Sequence, residues 1–295
     1  MMPLMLQYAL QAVLASSISI GALAQVEPDP APETTIEQAE PAIDKSKYAD
    51  ARALLDALSA NDQTTNSMTG TVRFTTINAL ENDRQTRTGD LLIARKPDGS
   101  GRNYAVKFKT LEIDDRRENI AEHYIFDGRW LVERLPEDKQ FNKRELVPAG
   151  KTLDPMELMR DAPFWVSVGS DQDRLLESYN AQLLEPSLGL IDNEDFPELA
   201  SLADKPYIES AIQLELEPKP GSKFEDDWEK VRIWFNAQTL EPVLYIKAEW
   251  TGDLQIVELF GVKTNTEIAQ AVFDTTSPGE RSGWNIQVST WRGQE

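Results

Sequence analysis

Residues 86–109 read TRTGDLLIARKPDGSGRNYAVKFK. Two runs of period two flank a turn rich in Pro, Asp and Gly, which is the pattern of two strands joined by a hairpin. Leu91, Ile93 and Arg95 share one face of the first run, and Pro97-Asp98-Gly99 ends it. Tyr104, Val106 and Phe108 share one face of the second and alternate with Ala105, Lys107 and Lys109. Just upstream, Val72 and Phe74 face one way and Arg73 and Thr75 the other. Just downstream, residues 122–135 (EHYIFDGRWLVERL) place two more strands around Asp127-Gly128, a strong hairpin signal. A turn at Pro136-Glu137-Asp138 then leads to a short strand from Gln140 to Val147. Sequential strands with short links pair as an antiparallel meander.

The same alternation returns after residue 210. AIQLELEP carries Ile212, Leu214 and Leu216, and VRIWFN carries Val231, Ile233 and Phe235. Leu244, Ile246, Ala248 and Trp250 alternate in the next run, followed by DLQIVELFGVK. AVFDTTSPGE reads as a last short strand and turn. Helical spacing appears twice. Tyr48, Ala51, Leu55 and Leu58, with Leu54 beside them, form one amphipathic helix over 46–60, closed by a polar break from Asn61 to Ser67. A block at 153–183 begins with Asp154-Pro155 as N-cap and first helical residue, and carries Leu175, Leu176, Tyr179 and Leu183 in a second helix. Residues 186–207 have little period and read as a loop or insertion. The fold class is therefore mainly β with α (α+β): one twisted antiparallel sheet curved around helices.

Composition removes several chemistries. The 295 residues hold no Cys and one His, so disulfide scaffolds, thiolate metal sites and a cysteine nucleophile are excluded. The Cys that anchors a bacterial lipoprotein is missing too. Fifty acidic against thirty basic residues give a net charge of −20, which argues against nucleic acid as a partner. His123 reads as a half-exposed strand residue, and no serine sits in a nucleophile-elbow motif. The clusters Asp114-Asp115, Asp192 to Asp195 and Glu225 to Asp227 read as solvated turns. An exported hydrolase built on paired carboxylates stays as a minor alternative, since no pair stands out. The expectation is no catalytic residue, no cofactor and no metal.

The N-terminus speaks for export. Residues 1–24 carry no charged side chain and end in Ala22-Leu23-Ala24, an A-x-A cleavage pattern after an apolar run, although the usual opening Lys or Arg is missing. Residues 25–45 are acidic and Pro-rich and read as a disordered linker. The expected organisation is a signal peptide (1–24), a linker (25–45) and a single domain (46–295), in a chain that is periplasmic and soluble once the signal peptide is removed; the alternative for 1–24 is an uncleaved membrane anchor.

Two stretches carry a family resemblance. In the first, Gly89, Leu91, Arg95 and Pro97 are followed by Asp127-Gly128, Trp130 and Gln140; in the second come Pro218-Lys219, Asn265, Phe273, Pro278-Gly279 and Val288. Their order resembles the LolA family of periplasmic outer-membrane lipoprotein carriers. The resemblance implies an incomplete antiparallel β-barrel of about eleven strands, capped by helices over a hydrophobic cavity. It implies a carrier, or chaperone, that binds the acyl chains of lipoproteins or other lipids. Such a carrier takes its cargo from an inner-membrane donor complex to an outer-membrane acceptor. On this reading Val72, Phe74, Leu91, Ile93, Tyr104, Val106, Phe108 and Trp130 are cavity candidates from the sheet. Met156, Met159 and Trp165 are candidates from the lid, where Met suits flexible chains. Arg95 is the latch candidate: the family's Arg at this place bonds the lid helices and holds the empty cavity closed. Its parity with Leu91 and Ile93 turns it to the same face, where a cation needs carbonyl or carboxylate partners. The alternative is a non-catalytic sensor or regulatory interaction module on the same fold.

Overall fold

The computed structural model describes residues 47–81, 83–114, 116–148, 150–151, 172–191, 193 and 196–291. The expected signal peptide and linker, and the lid candidates Met156, Met159 and Trp165, lie outside the described residues. The elements run α1 (Ala51–Thr64), β1 (Ser67–Asn78), β2 (Asp83–Arg95), β3 (Arg102–Ile113), β4 (Arg116–Phe126), β5 (Trp130–Leu135) and β6 (Gln140–Glu145). After them come α2 (Gln172–Ser178), β7 (Tyr179–Leu184), α3 (Ala200–Ala203), α4 (Pro206–Glu209), β8 (Ala211–Pro218), β9 (Lys230–Asn236), β10 (Pro242–Ala248), β11 (Leu254–Thr264) and β12 (Asn285–Ser289).

All twelve strands form one open sheet in the order β12-β6-β5-β4-β3-β2-β1-β11-β10-β9-β8-β7. The expected meanders are both present, and β1 joins them by pairing antiparallel with β11. The twelfth strand is an addition to the eleven expected. It pairs parallel with β6 and is the one departure from antiparallel order. Gly89 sits at a register shift between β2 and β3. A Cβ there would stand 2.0 Å from the Lys107 carbonyl oxygen, so only glycine permits this approach of the two backbones.

Three local expectations are corrected. The polar stretch from Asn61 does not break α1 but forms its last turn, with Thr64 and Thr65 hydroxyls bonding the Asn61 carbonyl at 2.9 Å. Residues 179–184 are a strand rather than helix. Tyr179, Ala181 and Leu183 also obey a period of two, and pairing with β8 satisfies their backbone. The last strand is not AVFDTTSPGE, which holds a 3₁₀ turn at Gln270–Phe273, but the later segment Asn285–Ser289.

Alternation along the strands divides the apolar residues into an inner face, under α1, and an outer face. Leu54, Leu55 and Leu58 of α1 meet Val72, Leu91, Ile93, Val106 and Val257 in the main core, which continues through Leu216, Val231 and Ile233. Asp50 starts this helix by accepting from the Ala53 N–H at 2.9 Å. The outer face carries two smaller cores. Leu190, Leu199, Leu202 and Ile208 pack on Trp234, Leu244, Ile246 and Ile256, so the stretch expected to be a loop or insertion is a cover. The indole of Trp234 ties it down by donating to the Pro186 carbonyl at 2.7 Å. The second cover is the segment from Ile268 to Ile286, whose Val272, Phe273 and Trp284 pack over Ala105, Ile125, Val132 and Phe141. Among the described residues, no helix is long and apolar enough to cross a membrane.

Candidate functional site

The inner face gathers most of the candidates. Val72, Leu91, Ile93, Tyr104, Val106 and Phe108 are all buried there, and Phe74 is half-buried with its ring stacked 6.1 Å from that of Phe108. Trp130 is a correction. Phe126 pairs with Leu131 across the Asp127-Gly128 turn, so Leu131 is the inner residue and Trp130 shares the outer face with Val132. Its ring lies between Arg129 (5.4 Å) and Lys143 (4.8 Å) rather than in an apolar space.

Arg95 stands at the rim where α1 ends. Its guanidinium donates to the Asp62 carbonyl at 2.7 Å and lies 3.8 Å from the Asp62 carboxylate. A second cation, not singled out in the sequence, holds the same place more tightly. Arg102 donates to the Asp62 carbonyl at 3.0 Å, to the Asp62 carboxylate at 2.9 Å and to the Thr65 carbonyl at 2.7 Å. Its side chain is 9% exposed against 32% for Arg95. The signal was available: the short hairpin between β2 and β3 pairs Arg95 with Arg102 directly. Both cations meet the negative end of the helix dipole and donate to carbonyls of its last turn and cap, Asp62 and Thr65. Tyr104 lies beneath them, its hydroxyl pushed up to about 12 by burial and by Asp62, against the opposing pull of Arg102. At its other end, α1 is held to α2 by Arg52, whose guanidinium donates to Asp173 at 2.7 Å.

Among the described residues, little space remains under the helix. A void of about 60 Å³ lies between Leu58, Asp62, Met68, Ile93, Arg102, Tyr104 and Phe235. Small-molecule sites usually occupy about 300–1,000 Å³, several times this void. Wider spaces, about 430 and 380 Å³, open on the outer face. The first has the charged residues Glu229, Lys230, Arg232 and Glu249 beside apolar ones such as Phe196, Leu199 and Ile246, and the second is lined by strand residues including Thr69, Gly70 and Thr71. Neither matches the expected apolar cavity.

His123 lies on the outer face in a cross-strand row with Lys107 and Arg134. Burial, then these two cations, lower its pKa below the usual value of 6.5. Among the described residues, no group of three or more His, Cys, Asp or Glu could hold a metal ion.

No family model and no curated protein matches the sequence. Solved structures similar to it include a putative outer membrane lipoprotein-sorting protein domain from Vibrio parahaemolyticus, at 12% identity and TM-score 0.34, covering 76% of this chain and 94% of that one. A LolA superfamily protein from Nitrosomonas europaea is similar at 11% identity and TM-score 0.31, covering 76% and 97%. A third is the MucA/MucB complex of Pseudomonas aeruginosa, at 16% identity and TM-score 0.37, covering 76% and 60%. Similarities this distant assign no residue and no activity.

Proposed function

We propose that this protein is a non-catalytic periplasmic carrier that receives the acyl chains of lipoproteins or other lipids on the inner face of its sheet, with α1 as the movable lid. One observation carries the reading: the amphipathic helix α1 covers an apolar face of an open sheet, and two arginines at one rim grip its C-terminal carbonyls. Burying a leucine contributes about 1.5–3 kcal/mol, so Leu54, Leu55 and Leu58 hold the lid with about 5–9 kcal/mol. An acyl chain of about fourteen methylenes brings about 11 kcal/mol into the same space. The two are comparable, so cargo and helix exchange without either being trapped. In this reading residues 1–24 direct export, residues 25–45 act as a spacer, and the cargo passes from an inner-membrane donor to an outer-membrane acceptor.

A second reading has its own support. Leu54 and Leu55 are fully buried and the remaining void is small, which is what a protein-binding sensor or regulator with a permanently filled core would show. Native mass spectrometry of residues 25–295, purified from a bacterial periplasm without detergent, separates the two. A bound mass released on denaturation as a lipid or acylated peptide supports the carrier. An empty protein that also ignores added acylated peptide and apolar dye overturns it in favour of the interaction module.

A further inference from the structure

At the end of the inner face opposite the arginines, the segment between β8 and β9 folds back into the core. Its Phe224 stacks on Tyr179 at 5.4 Å and on Trp228 at 5.3 Å. Trp228 is 1% exposed, yet among the described residues its indole N–H has no acceptor. Lys247 shares the inner parity of Tyr245 on β10 and is 3% exposed. Its ammonium lies 5.4 Å from the centre of the Trp228 ring and 3.1 Å from one carboxylate oxygen of Glu249. That same oxygen also accepts from Gln255 at 3.0 Å. Among the described residues, the three ammonium N–H bonds therefore share one acceptor, and the indole has none. A buried donor left unpaired is costly, so the unsatisfied indole N–H, with a singly paired ammonium over the same ring, marks a place for an oxygen from outside the chain.

We infer that Trp228 and Lys247 receive the ester carbonyl of an acyl chain bound on the inner face, and that a free carboxylate is rejected there. The inference rests on the carrier reading. Charge decides between the two head groups. Lys247 is already neutralised by Glu249, so a carboxylate would bury a net negative charge, and the chain's charge of −20 opposes it further. An ester carbonyl brings the missing acceptor without a charge. The ligand would enter by displacing the Phe224 side of the stack, while its chain takes the apolar surface that α1 covers.

The test is displacement of an apolar dye from the chain of residues 25–295 by methyl laurate, laurate and dodecane. Dodecane reports the apolar site alone, so the ratio of ester to alkane affinity isolates the carbonyl. Trp228→Phe removes the N–H and keeps an aromatic ring. It is expected to lower that ratio about five- to tenfold, the loss of one hydrogen bond, with a melting temperature no lower than that of the parent. Lys247→Met lowers the same ratio and carries the test should Trp228→Phe fail to fold. Glu249→Gln is expected to raise laurate affinity about tenfold, because the ammonium then lacks its counter-charge. An unchanged ester-to-alkane ratio in both Trp228→Phe and Lys247→Met overturns the inference, as it would if a water molecule fills the place. Displacement by none of the probes overturns the carrier reading itself, a different result.

Discussion

Arg95 and Arg102 are direct partners across the β2–β3 hairpin, and both donate to one oxygen, the Asp62 carbonyl, at 2.7 and 3.0 Å. Two guanidinium groups come this close only because the end of α1 offers them carbonyls, a carboxylate and the negative end of a dipole. The pair is thus as much a property of the helix as of the hairpin: if α1 leaves, the two cations face each other without a counter-charge.

The two arginines are expected to differ in weight. Arg102→Leu removes three bonds from a nearly buried side chain and should lower stability by about 2–4 kcal/mol in urea unfolding. Arg95→Leu removes one bond from a more exposed side chain and should lower it by about 1 kcal/mol. Both should speed the uptake of an acyl dye in stopped-flow fluorescence, Arg102→Leu more. Equal uptake rates in parent and variants would show that the arginines serve stability alone.

Gly89→Ala places a methyl group 2.0 Å from the Lys107 carbonyl oxygen and 2.6 Å from the Phe108 Cα, both backbone atoms inside the sheet. Neither can step aside as a side chain would. The expected loss is about 3 kcal/mol or more, beyond the typical single substitution. Thermal unfolding followed by far-UV circular dichroism checks it.

His123 gives one part of the pH dependence a definite sign. Its pKa in the folded chain lies below the ordinary 6.5, through burial first and then Lys107 and Arg134. Between the two values the unfolded chain binds more protons than the folded one. This contribution is therefore fully present above 6.5 and is lost as the pH falls through the lower, folded value. In His123→Gln the decline of the unfolding midpoint just below pH 6.5 should be shallower than in the parent. Superimposable curves would refute the assignment.

Trp234→Phe tests whether residues 186–209 belong to the fold. The variant leaves the Pro186 carbonyl without its buried donor and should cost about 1–3 kcal/mol. Hydrogen exchange should rise first in 186–209, ahead of strands β9 and β10. A neutral variant would return this segment to the status of a loose insertion.

Much of the architecture was legible in the chain. Period-two alternation in 86–109 places Leu91, Ile93, Tyr104, Val106 and Phe108 on one face, and the structure buries all five together. The Asp127-Gly128 turn gives the β4–β5 hairpin, and the spacing of Ala51, Leu55 and Leu58 gives the helix that covers the sheet. These features depend on residues only a few positions apart, where backbone geometry and side-chain direction are locked together. Net charge and the absence of cysteine are equally properties of the sequence alone.

Tertiary structure decided the rest, because it depends on partners distant in the chain. Asp62 meets Arg102 forty residues away, and Trp228 reaches Lys247 on β10. Trp130 changes face through the pairing of Phe126 with Leu131, which no local period encodes. The cover at 186–209 has no period because it is held by isolated apolar anchors against a surface already formed. β12 pairs with β6 from the far end of the chain, a parallel pairing that no hairpin turn could announce. Burial of a face is written in the sequence; which distant group closes over it is settled only when the sheet exists to be covered.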